Sequence, residues 1–156
     1  MKKISVVIPC YNSSQTIEKV LIGLEKQNLS PLEVIVVDDC SIDDTGTVAL
    51  RHNVKLITLE QNSGPAIARN RGARECKGEI ILFLDSDAVP HNDLIANLSN
   101  IYTKLSQEKF LAGVGGRGIE KIISSTADKW RARHASQNHG EKPHTNASYL
   151  FGLCGS

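Results

Sequence analysis

The chain has 156 residues, 40% hydrophobic and 22% charged, the make-up of one globular domain able to bury roughly two thirds of its unfolded surface. Eighteen Lys and Arg against 17 Asp and Glu leave a formal charge of +1. That balance argues against a nucleic-acid or polyanion partner, so any charged ligand must be held by a local site.

No apolar run reaches the roughly 18 residues that a membrane span needs. The opening Met1 to Pro9 begins like a signal peptide, but its apolar part stops at Pro9 and no small-residue cleavage site follows. The four cysteines, Cys10, Cys40, Cys76 and Cys154, form no C-x-x-C pair. They read as reduced thiols, and the protein as cytoplasmic.

In chain order, Ile4 to Ile8 is a continuous β-branched strand stopped by Pro9. Asn12, Ser13 and Ser14 offer N-caps for a helix with Ile17, Val20, Leu21 and Leu24 at i, i+3, i+4, i+7 spacing. Glu33 to Val37 is the second strand, with Asp38 and Asp39 at its carboxyl end. Ser41 and Asp44 match a capping box before a short helix toward Leu50. Val54 to Leu59 is a third strand. Pro65 then opens a third helix, running to about Glu75, from a position where its missing N–H costs least.

Ile80 to Leu84 is five apolar residues between Gly78 and Asp85, and reads as a strand buried on both faces. Side chains alternate along extended backbone, so Asp85 and Asp87 point the same way, about 6 to 7 Å apart along the strand. Two carboxylates so placed repel unless a cation lies between them, which suggests Mg²⁺ or Mn²⁺ shared with substrate phosphates. Beyond Asp87, Asn92 to Leu105 has an amphipathic helical pattern, with Leu94, Ile95, Leu98, Ile101, Tyr102 and Leu105 on one side. Phe110 to Val114 fits a fifth strand, and Ser124 to His139 fits a helix. The apolar close from Tyr149 to Ser156 has no cap or polar tail, and reads as a chain cut inside a longer protein.

Alternation of strand and helix with short links specifies a mainly parallel α/β sheet with helices on both faces and right-handed crossovers. Ligands of such sheets bind at the carboxyl ends of the strands, where strand order reverses. Tyr11 and Asn12, then Asp38 and Asp39, then Asp85 and Asp87 all fall on that edge.

With these residues in hand, the chain resembles the family 2 glycosyltransferases, which have the GT-A fold, a Rossmann-like sandwich. The matching stretches are Val6 to Asn12, Val36 to Ser41, Asn62 to Gly72 and Lys77 to Asp87. The resemblance implies one nucleotide-sugar-binding domain over 1–156, with 1–118 as its core and 119–156 beginning an acceptor side. It implies that Pro9 to Tyr11 and Asp39 contact the base of a nucleoside-diphosphate sugar, UDP-sugar foremost, with Asp38 close by, Asn12 among the donor-binding residues and Arg69 near the nucleotide. Asp85, Ser86 and Asp87 would be the family's DxD segment, touching ribose and a diphosphate-bound Mn²⁺ or Mg²⁺, with Asp85 and Asp87 as metal ligands.

The residue types suit those roles. A carboxylate such as Asp39 accepts from a base N–H, tyrosine stacks, and guanidinium matches phosphate. Members of the family invert the sugar and use a carboxylate base well downstream of DxD. No acid after Asp87 sits in that setting, so the base is expected outside this chain. The acceptor would be a saccharide or a lipid-linked hydroxyl, and the full-length protein would be cytoplasmic or at the cytoplasmic face of the membrane.

Three other constellations compete. Gly113 to Gly118 matches the G-x-G-x-x-G of dinucleotide-binding enzymes, but follows four strands where it normally follows the first. His134, His139 and His144 recur every five residues, which does not place them on one helical face as metal ligands. A nucleotidyltransferase would also place carboxylates at the sheet edge, yet the loop after strand one has neither glycine nor lysine for a triphosphate. A non-catalytic nucleotide-binding module remains a further reading.

Overall fold

The computed structural model describes residues 2–106. The expected strand at 110–114, the helix at 124–139, the glycine run, the three spaced histidines and Cys154 lie outside them. Among the described residues eight elements alternate: β1 (Ile4–Cys10), α1 (Ile17–Glu25), β2 (Glu33–Asp38), α2 (Thr45–Ala49), β3 (Lys55–Thr58), α3 (Pro65–Ala73), β4 (Ile80–Phe83) and α4 (Leu94–Ser106). The four strands are parallel in the order β3-β2-β1-β4. Strand order therefore reverses between β1 and β4.

All seven residues of β1 are buried, because helices cover both faces of its sheet. Val6, Ile8 and Cys10 pack with Ile17, Val20, Leu21 and Leu24 of α1, Val48 of α2 and Ile95 of α4. Val7 points the other way and packs with Ile35, Val37 and Ala68 of α3. Each such aliphatic side chain contributes roughly 1.5–3 kcal/mol relative to exposure. The second face is thinner, and α3 rests close on it: a Cβ on Gly72 would stand 2.5 Å from Val7 Cγ1 and 3.0 Å from Val37 Cγ2.

Three expectations about this scaffold are corrected. Pro9 does not stop β1 but lies inside it, paired with Val37. The carbonyls of Val7 and Cys10 accept from Leu84 N–H and Asp39 N–H, so alternation turns the Pro9 nitrogen toward β4. The β1–β4 ladder has already ended there, at Val7 and Phe83, and the missing N–H breaks no pair.

β4 is not buried on both faces. Ile81 and Phe83 are 37% and 40% exposed, because among the described residues β4 is the edge of the sheet and one face lacks a helix. The pattern of α4 also differs, with Ile101 exposed although Ile95 is buried.

Candidate functional site

The carboxyl ends of β1, β2 and β4 meet at the strand-order reversal, and the polar residues flagged by the sequence gather there. Pro9 is buried at the end of β1, while Tyr11 is 47% exposed beside it. Asn12 and Cys40, which follow β1 and β2, adopt positive φ of 48° and 61°. Backbone strain of this kind persists only where its surroundings over-determine it.

Those surroundings are two hydroxyl-to-carboxylate relays. Asn12 N–H donates to Ser41 Oγ at 2.9 Å, and the Ser41 hydroxyl donates in turn to Asp38 Oδ1. One residue on, Ser13 N–H donates to Thr45 Oγ1 at 2.7 Å, and the Thr45 hydroxyl donates to Asp43 Oδ1. Ser14 N–H reaches Asp43 Oδ2 directly at 3.1 Å. Asn12 Oδ1 accepts from Ile42 N–H at 3.0 Å. Burial pushes Asp43 up, but the hydrogen bonds from Thr45 and Ser14 outweigh it and hold its carboxyl down to about 2.

The expected caps are thereby reassigned. Asn12, Ser13 and Ser14 do not cap α1 with their side chains; the Ser13 carbonyl accepts the N–H of Thr16 and Ile17 instead. Ser41 does not close a capping box on α2, because its hydroxyl is spent on Asp38. Asp43, Thr45, Ser13 and Ser41 are thus members of the site that the sequence reading missed. The available signal was acid and hydroxyl alternating through Asp38, Ser41, Asp43 and Thr45.

The two acids ending β2 part company. Asp38, 5% exposed, holds its own loop through Ser41. Asp39, 3% exposed, crosses to α3, accepting Ser63 N–H at 2.8 Å on one oxygen and Gly64 N–H at 2.7 Å on the other. Gly64 takes φ of 89° there, where glycine is favoured, and Pro65 follows as the first helical residue. Cys10 lies among these acids. Burial, then the charges of Asp38, Asp43 and Asp39, push its thiol up to about 12, so it is no nucleophile near neutral pH.

Asp85 and Asp87 do not sit on extended backbone. β4 ends at Phe83, and the chain turns with Ala88 N–H donating to the Asp85 carbonyl at 3.1 Å. Arg69 of α3 reaches across the end of the sheet to Asp85 Oδ1 at 2.7 Å, with both side chains largely buried. Ser86 and Ser13 share a hydrogen bond at 2.9 Å, and Asp87 is exposed. Of the other arginines on this stretch, Arg71 pairs with Glu75 and Arg74 is exposed. Cavities of about 240 and 170 Å³ lie at the opposite, amino end of the sheet, around Ile4 and Leu32 and around Leu24 and Val34.

The model of Glycosyl transferase family 2 matches residues 5–149. Poly(ribitol-phosphate) beta-N-acetylglucosaminyltransferase TarS of Staphylococcus aureus is 36% identical over 138 residues, 81% of this chain and 24% of that protein. The chain therefore spans about a quarter of the length of that relative. The crystal structure of S. aureus TarS 1–349 in complex with UDP-GlcNAc has a TM-score of 0.63 and 33% identity, covering 78% of this chain and 38% of that one. The mannosyltransferase PcManGT from Pyrobaculum calidifontis, in complex with GDP-Man and Mn²⁺, has a TM-score of 0.61 and 31% identity, covering 65% and 32%. The α/β sheet described above is the GT-A arrangement of those neighbours. With a family model spanning nearly all of its length, the chain belongs to Glycosyl transferase family 2.

Proposed function

We propose that this chain is the donor-binding part of an inverting glycosyltransferase. It takes a nucleoside-diphosphate sugar, UDP-sugar foremost, across the carboxyl ends of β1, β2 and β4 for transfer to an acceptor hydroxyl. The observation that carries this reading is the gathering of Tyr11, Asp38, Asp39, Arg69, Asp85 and Asp87 at the strand-order reversal. Solved relatives holding UDP-GlcNAc, and GDP-Man with Mn²⁺, support the donor class.

In this reading the exposed ring of Tyr11 offers a face for the base. Each Asp39 oxygen already accepts one backbone N–H and keeps acceptor capacity for a base N–H. Arg69 can turn from Asp85 to a phosphate, since its fork fits both.

Asp85 and Asp87 would hold Mn²⁺ or Mg²⁺, and the donor set suits a hard cation that takes one or two carboxylates and fills its shell from phosphate. Among the described residues no group of three or more His, Cys, Asp or Glu could hold a metal by itself. Such an ion supplies Lewis-acid stabilisation to the departing diphosphate. The base that deprotonates the acceptor is assigned to sequence outside this chain.

The relays also weigh against a nucleotidyltransferase. Three successive amides after β1, those of Asn12, Ser13 and Ser14, are already engaged by Ser41, Thr45 and Asp43. They are not free to cradle a triphosphate.

Calorimetric titration with UDP, GDP and dTDP, each with and without Mn²⁺ and with NAD as control, tests the proposal. Metal-dependent binding of one nucleoside diphosphate, lost in Asp87→Ala, is the expected result. Binding of NAD alone, or metal-independent binding untouched by Asp87→Ala, would overturn it.

A further inference from the structure

Three loops meet at the proposed donor site, and one continuous line of hydrogen bonds joins them. It runs from Asp43 Oδ1 to the Thr45 hydroxyl, from Thr45 Oγ1 to Ser13 N–H, and from the Ser13 hydroxyl to Ser86 between the two DxD acids. We propose that Asp43 and Thr45 are positioning residues. They set the stance of the Tyr11–Ser14 loop and, through Ser13 and Ser86, align the Asp85–Asp87 turn, so that the base side and the metal side of the site are held as one unit. This inference rests on the donor-site reading and adds to it two residues that touch neither base nor phosphate.

The geometry leaves little slack in that line. Thr45 is fully buried, and its Oγ1 both accepts from Ser13 and donates to Asp43, which fixes the hydroxyl hydrogen. Asp43 receives the Ser14 and Thr45 amides as well as the Thr45 hydroxyl. A carboxylate with that many donors is held in one orientation even at an exposed position. The positive φ of Asn12, immediately before Ser13, is the strain that the relay maintains. At the far end the link is the single hydroxyl pair of Ser13 and Ser86, so it can be cut without touching either DxD acid.

Two measurements on the 156-residue chain test this: amide hydrogen exchange over residues 11–16 without ligand, and calorimetric titration with UDP in the presence and absence of Mn²⁺. Thr45→Val keeps the shape and removes the hydroxyl. It is expected to speed exchange at Ser13 and Ser14 and to weaken UDP–Mn²⁺ binding about tenfold, while Thr45→Ser restores both. Asp43→Asn, at an exposed position, is the companion variant should Thr45→Val lose its fold, and is expected to act in the same direction. Ser86→Ala, which cuts the hydroxyl pair with Ser13, is expected to reduce the gain in affinity that Mn²⁺ brings.

Faster exchange in Thr45→Val with unaltered UDP affinity would mean that the relay only braces the fold, and would overturn the inference. Failure of Thr45→Ser to rescue would do the same, by removing the hydroxyl from the explanation. Absence of nucleoside-diphosphate binding to the unaltered chain would instead sink the donor-site reading, and this inference with it.

Discussion

At the amino end of the sheet, Ser5 of β1 donates to Glu33 of β2 at 2.7 Å and accepts Gly78 N–H at 2.8 Å, while Lys77 N–H also reaches Glu33. Around that closed set lie surface ion pairs, Lys2 with Glu79 and Lys55 with Glu75. At the carboxyl end the acids Asp38, Asp39 and Asp43 take backbone amides and hydroxyls as partners, and Asp85 takes Arg69. The two ends thus use carboxylates differently. Apart from Glu33, the amino end pairs surface charge with surface charge, which contributes little. The carboxyl end holds the buried Asp38 and Asp39, and the exposed Asp43, with neutral dipoles, leaving a negative surplus among the described residues beside Arg69. A surplus of that kind suits the cation and the diphosphate proposed above.

Substitutions should separate the ends, the amino end losing stability and the carboxyl end losing ligand. The largest loss of stability is expected for Gly78→Ala. Its Cβ would stand 2.6 Å from Ser5 N and 2.9 Å from the Lys3 carbonyl, both backbone atoms that cannot move aside. Overpacking of this type costs about 3 kcal/mol. Chemical denaturation should show that loss, with nucleotide affinity unchanged in the folded protein; a lost affinity would break the distinction between ends.

Asp39→Asn comes next, because it replaces one of the two oxygens that accept the Ser63 and Gly64 amides by an NH2 donor at a buried position. It should cost about 2 kcal/mol and also weaken nucleotide binding, so both readouts move. Ser5→Ala removes a buried hydroxyl from Glu33 and the Gly78 amide, worth about 1 kcal/mol of stability, with no change in nucleotide binding.

Acid should loosen the carboxyl end through Asp43. Its folded-state pKa of about 2 lies below the ordinary 3.8, so its contribution is complete above about pH 4 and is lost as pH falls through about 2. Amide exchange at Ser13 and Ser14 should accelerate in that window. Smallest of all, Lys2→Ala should leave the melting midpoint unchanged, since both partners of its ion pair are exposed.

Much of this was legible in the sequence because the helical and strand periodicities follow from burial alone. Ile17, Val20, Leu21 and Leu24 form the buried stripe of α1 as their spacing requires, and Pro65 begins α3 where its lost N–H is harmless. The gathering of acids at one edge followed from topology. Less legible were the partners of the polar groups. Asn12, Ser13, Ser14 and Ser41 have the chemistry of helix caps, and local sequence offers helices for them to cap. In the fold, β1 and β2 end side by side, so partners about 30 positions away in the chain outcompete the local ones. The exposure of Ile81 and Phe83 was equally hidden, because an apolar run does not report whether its strand has a neighbour on each side.

Pro9 has a consequence that reaches past its own strand. In a parallel ladder the residue two beyond Val7 would pair with the residue two beyond Phe83, which is Asp85. A nitrogen without hydrogen at that step works like the stop on a zip. The fastening of β4 to β1 halts one rung short, and the chain is free to curl where Asp85, Ser86 and Asp87 stand. The reach of those two acids is thus written partly at a buried position on another strand, in an atom that is not there.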